Sequence, residues 1–183
     1  MLSLNTAFTP KSMTDLRDLV TEHPDFPKPG ILFRDISPIL ADPTAFRELT
    51  ERLANKVRSS GANKVFGLEA RGFILGAAIA LELGIPFVPV RKVGKLPGET
   101  VRESYKLEYG EATFEIQTDK VSKEDKVAIV DDLLATGGTA EAAAKLVHAC
   151  GGSVSGYFFA IELSELGGRD KLSKGEIFSL MSY

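Results

Sequence analysis

The chain has 183 residues, 44% hydrophobic and 26% charged, which suits one globular domain with a full apolar core. Its net charge of −3 argues against sequence-independent nucleic-acid binding, which rests on an excess of Lys and Arg, while leaving room for small anions held by local basic groups. A lone cysteine, Cys150, excludes an internal disulfide and fits a reducing, cytoplasmic setting, and the absence of a His/Cys cluster speaks against structural zinc.

The opening stretch MLSLNTAFTPKS lacks a basic segment followed by a long apolar one, so no signal peptide is expected. From Ser12, an N-cap candidate with Asp15 three residues on and Leu16, Leu19 and Val20 at helical spacing predicts a helix. FPKPGILFRDISPIL, Phe26 to Leu40, mixes proline with aromatic residues and reads as a packed loop. A second helix is better marked: Asp42 caps it, Pro43 occupies its first turn, and Phe46, Leu49, Leu53 and Val57 recur before Gly61 ends it.

VFGLE then reads as a short buried strand, and FILGAAIALEL as a helix stopped at Gly84. The run from Gly72 to Val90 is apolar enough to raise the question of a membrane span, which needs ~20 predominantly apolar residues. Glu82, Gly84, Pro86 and Pro89 interrupt it, so a buried helix followed by the strand FVPVR is the better reading. KLEYGEATFEIQ suits a strand pair or a bent strand, KVAIV a strand, and TAEAAAKLVHAC a helix ended by Gly151. VSGYFFAIEL is expected as the final buried strand. Strands alternating with long helices imply parallel pairing through right-handed crossovers. The expectation is a single α/β domain over residues 1–183, with a mostly parallel central sheet flanked by helices.

In such a sheet, ligands bind at the carboxyl ends of the strands. KVAIV delivers Asp131 and Asp132 to that edge, and Thr136, Gly137, Gly138 and Thr139 follow with a helix behind them. Bare backbone N–H groups, two hydroxyls and a helix N-terminus make a phosphate cradle. Two carboxylates beside a phosphate must face something else, and ribose hydroxyls or Mg²⁺ are the natural partners, so the pattern suggests a ribose 5-phosphate. Neither G-x-x-x-x-G-K-[ST] nor G-x-G-x-x-G occurs. The bland alternative is a strand, turn and helix with a solvated acidic turn.

GLEARGF, Gly67 to Phe73, repeats the layout of strand end, tight turn and helix start. Its Arg71 carries a planar fork suited to a second anion, the alternative being a surface arginine in a loop. Arg91 to Gly110 is rich in Gly, Pro and charge, and is either a solvated hairpin tip or a mobile lid. Glu108 is either the outward member of an alternating strand or an acid facing a ligand. His23 and His148 are read as structural.

VAIVDDLLATGGTA resembles the signature segment of the phosphoribosyltransferases, and within them the branch that uses adenine. The likeness runs through FPKPGILFRDISPIL, GLEARGF, VPVRKVGKLPGE, SYKLEYG and IFSLMSY in the same order, leaving out only the first dozen residues. It implies a phosphoribosyltransferase-type fold with an N-terminal hood over about residues 12–40 and a flexible lid over about 91–110. The implied reaction moves the 5-phosphoribosyl group from 5-phosphoribosyl 1-pyrophosphate (PRPP) to adenine, giving AMP and pyrophosphate in purine salvage. The resemblance also implies a homodimer with no nucleic-acid or membrane partner. Mg²⁺ would be carried mainly on the donor, with Asp131 and Asp132 as the carboxylates near it.

Carried over residue by residue, the likeness assigns ribose and 5′-phosphate to Asp131, Asp132, Ala135, Thr136, Gly137, Gly138 and Thr139. It assigns pyrophosphate to Ala70, Arg71, Arg91, Lys92, Lys95 and Tyr105, with a non-proline cis peptide at or beside Arg71. Leu32, Phe33 and Arg34 are expected to hold adenine. Glu108 would act at N7 of the base, and forms the expected catalytic set with Arg71, Asp131 and Asp132. Two rival readings are a sister enzyme for hypoxanthine, guanine or xanthine, and a nucleotide-sensing regulator of the same fold. The first often places a lysine after the strand that follows the phosphate loop, where VSGYFFAIEL has none. The second needs a nucleic-acid surface, against which the net charge of −3 counts.

Overall fold

The computed structural model describes residues 15–107, 110–172 and 175–183. The chain divides into two compact units, one reaching to Arg47 and the other running from Glu48 to Tyr183.

In the first unit, the helix expected from Ser12 is, among the described residues, a single 3-10 turn over Leu16–Leu19. Asp15 caps it by accepting the N–H of Arg17 at 3.0 Å. Of its apolar residues only Leu16 is buried, so a longer helix would lack a face to bury. The chain instead enters β1 (Thr21–Pro24), antiparallel to β2 (Leu32–Asp35) from Thr21↔Asp35 to Pro24↔Leu32. The packed loop expected over 26–40 thus contains a strand. It also contains a short helix, α1 (Ser37–Ala41), whose start is fixed by Asp35 accepting both the N–H (2.9 Å) and the hydroxyl (2.7 Å) of Ser37. Next, α2 (Pro43–Ser59) begins as the sequence predicts, with Asp42 accepting the N–H groups of Thr44 and Ala45 at 2.8 and 3.0 Å. Further along the same helix, Leu49, Leu53 and Val57 are fully buried.

The second unit continues with β3 (Lys64–Leu68), α3 (Gly72–Leu83), β4 (Phe87–Lys92), β5 (Thr100–Leu107), β6 (Gly110–Gln117), β7 (Lys126–Leu134), α4 (Gly138–Ala149), β8 (Ser153–Glu162) and β9 (Glu176–Ser182). One seven-stranded sheet runs in the order β5-β6-β4-β3-β7-β8-β9. The pairs β4–β3, β3–β7, β7–β8 and β8–β9 are parallel, whereas β6 is antiparallel to both β4 and β5. Phe66, Val90, Ile129, Leu146 and Phe159 belong to one core cluster between sheet and helix. Ala140, Ala142, Ala143 and Ala144 are buried with them, and their small side chains let α4 lie close on the sheet. No helix among the described residues is long and apolar enough to cross a membrane. Gly84 ends α3 in the left-handed region (φ +65), where glycine has no Cβ to clash.

Two expectations are corrected here. VSGYFFAIEL is not the final strand, because β9 lies beyond it as the parallel edge of the sheet. The strand KVAIV does not end at the carboxylates either, because β7 continues to Leu134. Its pairing with β3 stops at Gly67↔Val130, while its pairing with β8 continues to Leu134↔Glu162. Asp131 and Asp132 therefore stand where the sheet has lost one neighbour and kept the other.

Candidate functional site

The parallel strands β3 and β7 each deliver a turn and then a helix on the same edge. No side-chain hydrogen bond caps α4 at Gly137, so its first-turn N–H groups are placed to meet an anion, whereas in α3 the N–H groups of Phe73 and Ile74 already donate to the carbonyls of Ala70 and Arg71 at 3.2 and 3.1 Å. Thr136 lies in the turn and Ala135 opens it, while Gly138 and Thr139 are already in the first turn of α4. Gly137 has φ +81, and a Cβ there would lie 2.4 Å from the carbonyl oxygen of Gly168. Only glycine fits, so the loop is pressed against the segment between β8 and β9. That segment is in turn clamped by Arg169, whose fork binds Glu162 at 2.7 and 2.6 Å.

The two carboxylates differ in setting. Asp131 accepts the N–H of Asp132 at Oδ1 (2.9 Å), and Asp132 receives the Nε–H of Arg71 at Oδ2 (2.8 Å). Burial, and then the adjacent Asp132 charge, push the Asp131 carboxyl well above the ordinary carboxylate range. Burial also raises Asp132, though the Arg71 guanidinium opposes it. Gly72 makes room for this pair, since a Cβ there would sit 2.8 Å from Oδ1 of Asp131.

Beside Arg71, the Glu69–Ala70 peptide is cis, next to the position the resemblance implied. Glu69 itself was not expected at the site, yet it gathers the cations that were. Its carboxylate accepts the N–H of Lys92 (3.0 Å), faces Nε of Arg91 (3.4 Å) and is paired with the Lys95 ammonium. Burial alone would raise Glu69, but these bonds from Lys95, Lys92 and Arg91 hold its carboxyl below the usual range. Arg91 also lies over the ring of Phe73, 5.8 Å from its centroid.

The segment expected as an irregular lid is more regular than its composition suggests. Arg91 and Lys92 end β4, and residues 100–107 are a strand paired along its length with β6. Tyr105 is a buried member of that strand, tilted on Phe114 with ring centroids 4.9 Å apart. With Ser104 it lines a cavity of about 360 Å³ that also touches Gly138 and Lys145, at the start of α4. Burial, then the charges of Asp131 and Glu69, raise the Tyr105 phenol, which puts its hydroxyl within the field of both turns.

The adenine-binding candidates belong to the first unit. Phe33 packs edge-on against Phe26 with centroids 5.2 Å apart, and Leu32 is 40% exposed. Arg34 is held by Glu22 at 3.2 Å across the β1–β2 pair. Glu108 lies outside the described residues. His148 faces the carbonyl of Gly152 at 3.3 Å, in keeping with a structural role. Among the described residues no group of three or more His, Cys, Asp or Glu could hold a metal ion by itself.

Relatives of this chain share its length and its fold. An adenine phosphoribosyltransferase of Pectobacterium carotovorum is 53% identical over 158 residues, covering 86% of this chain and 85% of its own. The crystal structure of adenine phosphoribosyltransferase from Thermoanaerobacter pseudethanolicus superimposes with a TM-score of 0.89 at 48% identity, over 92% of this chain and 98% of that one. The Saccharomyces cerevisiae enzyme, solved with an imino-altritol bisphosphate and adenine, gives a TM-score of 0.86 at 41% identity, over 90% and 96% of the two chains. The family model for the phosphoribosyl transferase domain matches residues 35–162, a span that takes in both strand-end turns and the loop between them and α4. The chain belongs to the phosphoribosyl transferase family.

Proposed function

We propose that this chain is an adenine phosphoribosyltransferase, moving the phosphoribosyl group of PRPP to N9 of adenine with release of pyrophosphate. The observation that carries this reading is the Arg71–Asp132 pair, which joins a turn suited to pyrophosphate to a turn suited to ribose 5-phosphate on one sheet edge. The N–H groups at the start of α4 hold the 5′-phosphate, and Asp131 and Asp132 accept hydrogen bonds from the ribose hydroxyls. Ala70 and Arg71, with Arg91, Lys92 and Lys95, receive the pyrophosphate. Leu32, Phe33 and Arg34 hold the base, and Glu108 is assigned to its N7 from the sequence alone.

As the bond from the sugar carbon to pyrophosphate breaks, N9 forms its bond to that carbon, and the N9 proton passes to the departing pyrophosphate or to water. The sugar becomes cationic in passing, and the two aspartates beneath it favour that charge, while the basic groups stabilise the departing anion. Asp131 and Asp132 offer the hard oxygen donors that Mg²⁺ prefers, and a donor-borne Mg²⁺ would neutralise pyrophosphate charge.

Assembly as a homodimer is part of the reading. Helix α3 is apolar nearly all round, yet Ile74 (44% exposed) and Leu81 (85% exposed) form an outward stripe that a second copy would cover. Sedimentation across a dilution series tests it, and a monomer at every concentration would remove that part. The activity is tested by turnover of PRPP with adenine, hypoxanthine, guanine and xanthine. AMP and pyrophosphate should form with adenine alone at appreciable rate, and donor binding without turnover of any base would favour a sensor instead.

A further inference from the structure

Glu115 on β6 is fully buried and charged, on the strand face opposite to the one by which Phe114 and Ile116 enter the apolar core. A carboxylate taken out of water is costly unless its oxygens are satisfied. Its Oε1 accepts three successive backbone N–H groups, those of Gly94 (2.9 Å), Lys95 (3.0 Å) and Leu96 (3.1 Å). Its Oε2 takes the Thr100 hydroxyl at 3.3 Å and Nε of Arg102 at 3.2 Å. Successive N–H groups curled round one oxygen form an anion-binding nest, here closed by Gly94 with φ +86. Burial would raise the Glu115 carboxyl, but the bonds from Leu96, Lys95, Gly94 and Thr100 hold it below the usual range.

The middle N–H of that nest belongs to Lys95, whose ammonium reaches Glu69 beside Arg71. We infer that Glu115 is a positioning residue for the donor: it fixes the backbone of Gly94 to Leu96 and so aims Lys95 at the pyrophosphate turn. This rests on the assignment of Lys95 to pyrophosphate made above. A loop of glycine, lysine and proline has little reason of its own to hold one shape, and a long lysine side chain loses rotamer freedom when it binds. Anchoring its backbone beforehand lowers the ordering left for the donor to impose.

The test is a double-mutant cycle on PRPP kinetics with Glu115→Gln, Lys95→Ala and the pair. Glutamine keeps the size and one acceptor but removes the charge. Glu115→Gln should raise KM for PRPP ~tenfold with kcat within ~threefold, and leave AMP affinity unchanged because AMP has no pyrophosphate. In the Lys95→Ala background the same change should add less than ~twofold, because the group it acts through is gone. An additive loss, or no effect of Glu115→Gln where Lys95→Ala weakens PRPP, overturns the inference alone. Lys95→Ala without effect sinks the pyrophosphate assignment and the inference with it. Should Glu115→Gln fail to fold, amide exchange on the unmodified enzyme decides. The Gly94, Lys95 and Leu96 amides should exchange at least ~hundredfold more slowly than an open chain without ligand, and exchange at the open-chain rate overturns the inference.

Discussion

Arg71 donates from Nε to Oδ2 of Asp132 across 2.8 Å, tying the turn after β3 to the carboxylates of β7. One guanidinium thus ties the start of α3 to the carboxylate pair of β7. Replacing it by alanine should weaken use of PRPP more than binding of AMP, by ~10–100-fold in kcat/KM for the donor, since a hydrogen bond to a charged group is worth ~1.5–3 kcal/mol. Equal losses for PRPP and AMP, compared by kinetics and by calorimetry, would show a general structural role.

Asp131→Asn and Asp132→Asn should each lower kcat/KM by roughly tenfold to a hundredfold while the fold persists. The Oδ1 of an asparagine at 131 can still accept the N–H that Asp131 accepts now, so the loss reports charge and not backbone support. Normal turnover by the double variant would remove the ribose assignment.

Both carboxyls of this pair lie above the ordinary range, by burial first and, for Asp131, by the charge of Asp132 next. The ionised pair is the form that accepts hydroxyls. Donor kcat/KM should therefore fall as the pH drops through a value above the usual aspartate pKa of ~3.9. Stability moves the other way. A folded pKa above the unfolded one means that the folded state takes up the proton first, so these groups stabilise the fold as pH falls through the raised value and withdraw that support as pH rises. Asp131→Asn should thus raise Tm at neutral pH, with a gain that shrinks on acidification. A thermal-melt series with no such trend would contradict the burial of this charge.

Gly72→Ala should damage catalysis through a neighbour. The added Cβ would lie 2.8 Å from both Oδ1 of Asp131 and the carbonyl oxygen of Val130, and backbone cannot move aside cheaply. A shift of the carboxylate should cost ~tenfold or more in kcat/KM. Undiminished activity would mean that Asp131 need not sit where it does.

Adenine donates from its exocyclic amine and accepts at N1, whereas hypoxanthine reverses both roles. Fixed partners in the Leu32–Arg34 strand would leave buried groups unpaired with the wrong base, at ~1–3 kcal/mol each. Adenine should be preferred by at least ~100-fold in kcat/KM, and Arg34→Ala should erode both ratio and rate. Glu22→Gln should erode the ratio in part, since Glu22 holds Arg34 at 3.2 Å. Comparable turnover of hypoxanthine by the unmodified chain would overturn the adenine assignment but leave phosphoribosyl transfer standing.

Local chemistry made some elements readable from sequence. In α2, cap, proline and apolar period agree, and Asp42 indeed accepts two first-turn N–H groups. The TGGT turn carries its meaning in four adjacent residues. The first helix misled because Leu16, Leu19 and Val20 have helical spacing, while only Leu16 finds a buried place. The last strand was missed because an edge strand half exposed on its faces shows no long apolar run. Glu69 and Glu115 gave no signal at all. Their partners lie about twenty positions away in the chain, and only strand register brings them together: β3 beside β4, ending at Leu68↔Val90, for Glu69, and β6 between β4 and β5, with Glu115 opposite Arg91 and Arg102, for Glu115.

The close approach of Gly137 to Gly168 has a bearing on how the protein is made. Chains leave the ribosome from the N-terminus, and β7 and α4 emerge well before the residues that back their connecting loop. Until Gly168 and the Arg169 fork have followed, that loop lacks its rear wall and Glu162 its counter-ion. The nascent chain can therefore build most of its sheet while still unable to grip a phosphate. Binding competence arrives late in synthesis, and a chain broken off before residue 168 should come out folded in part but inert.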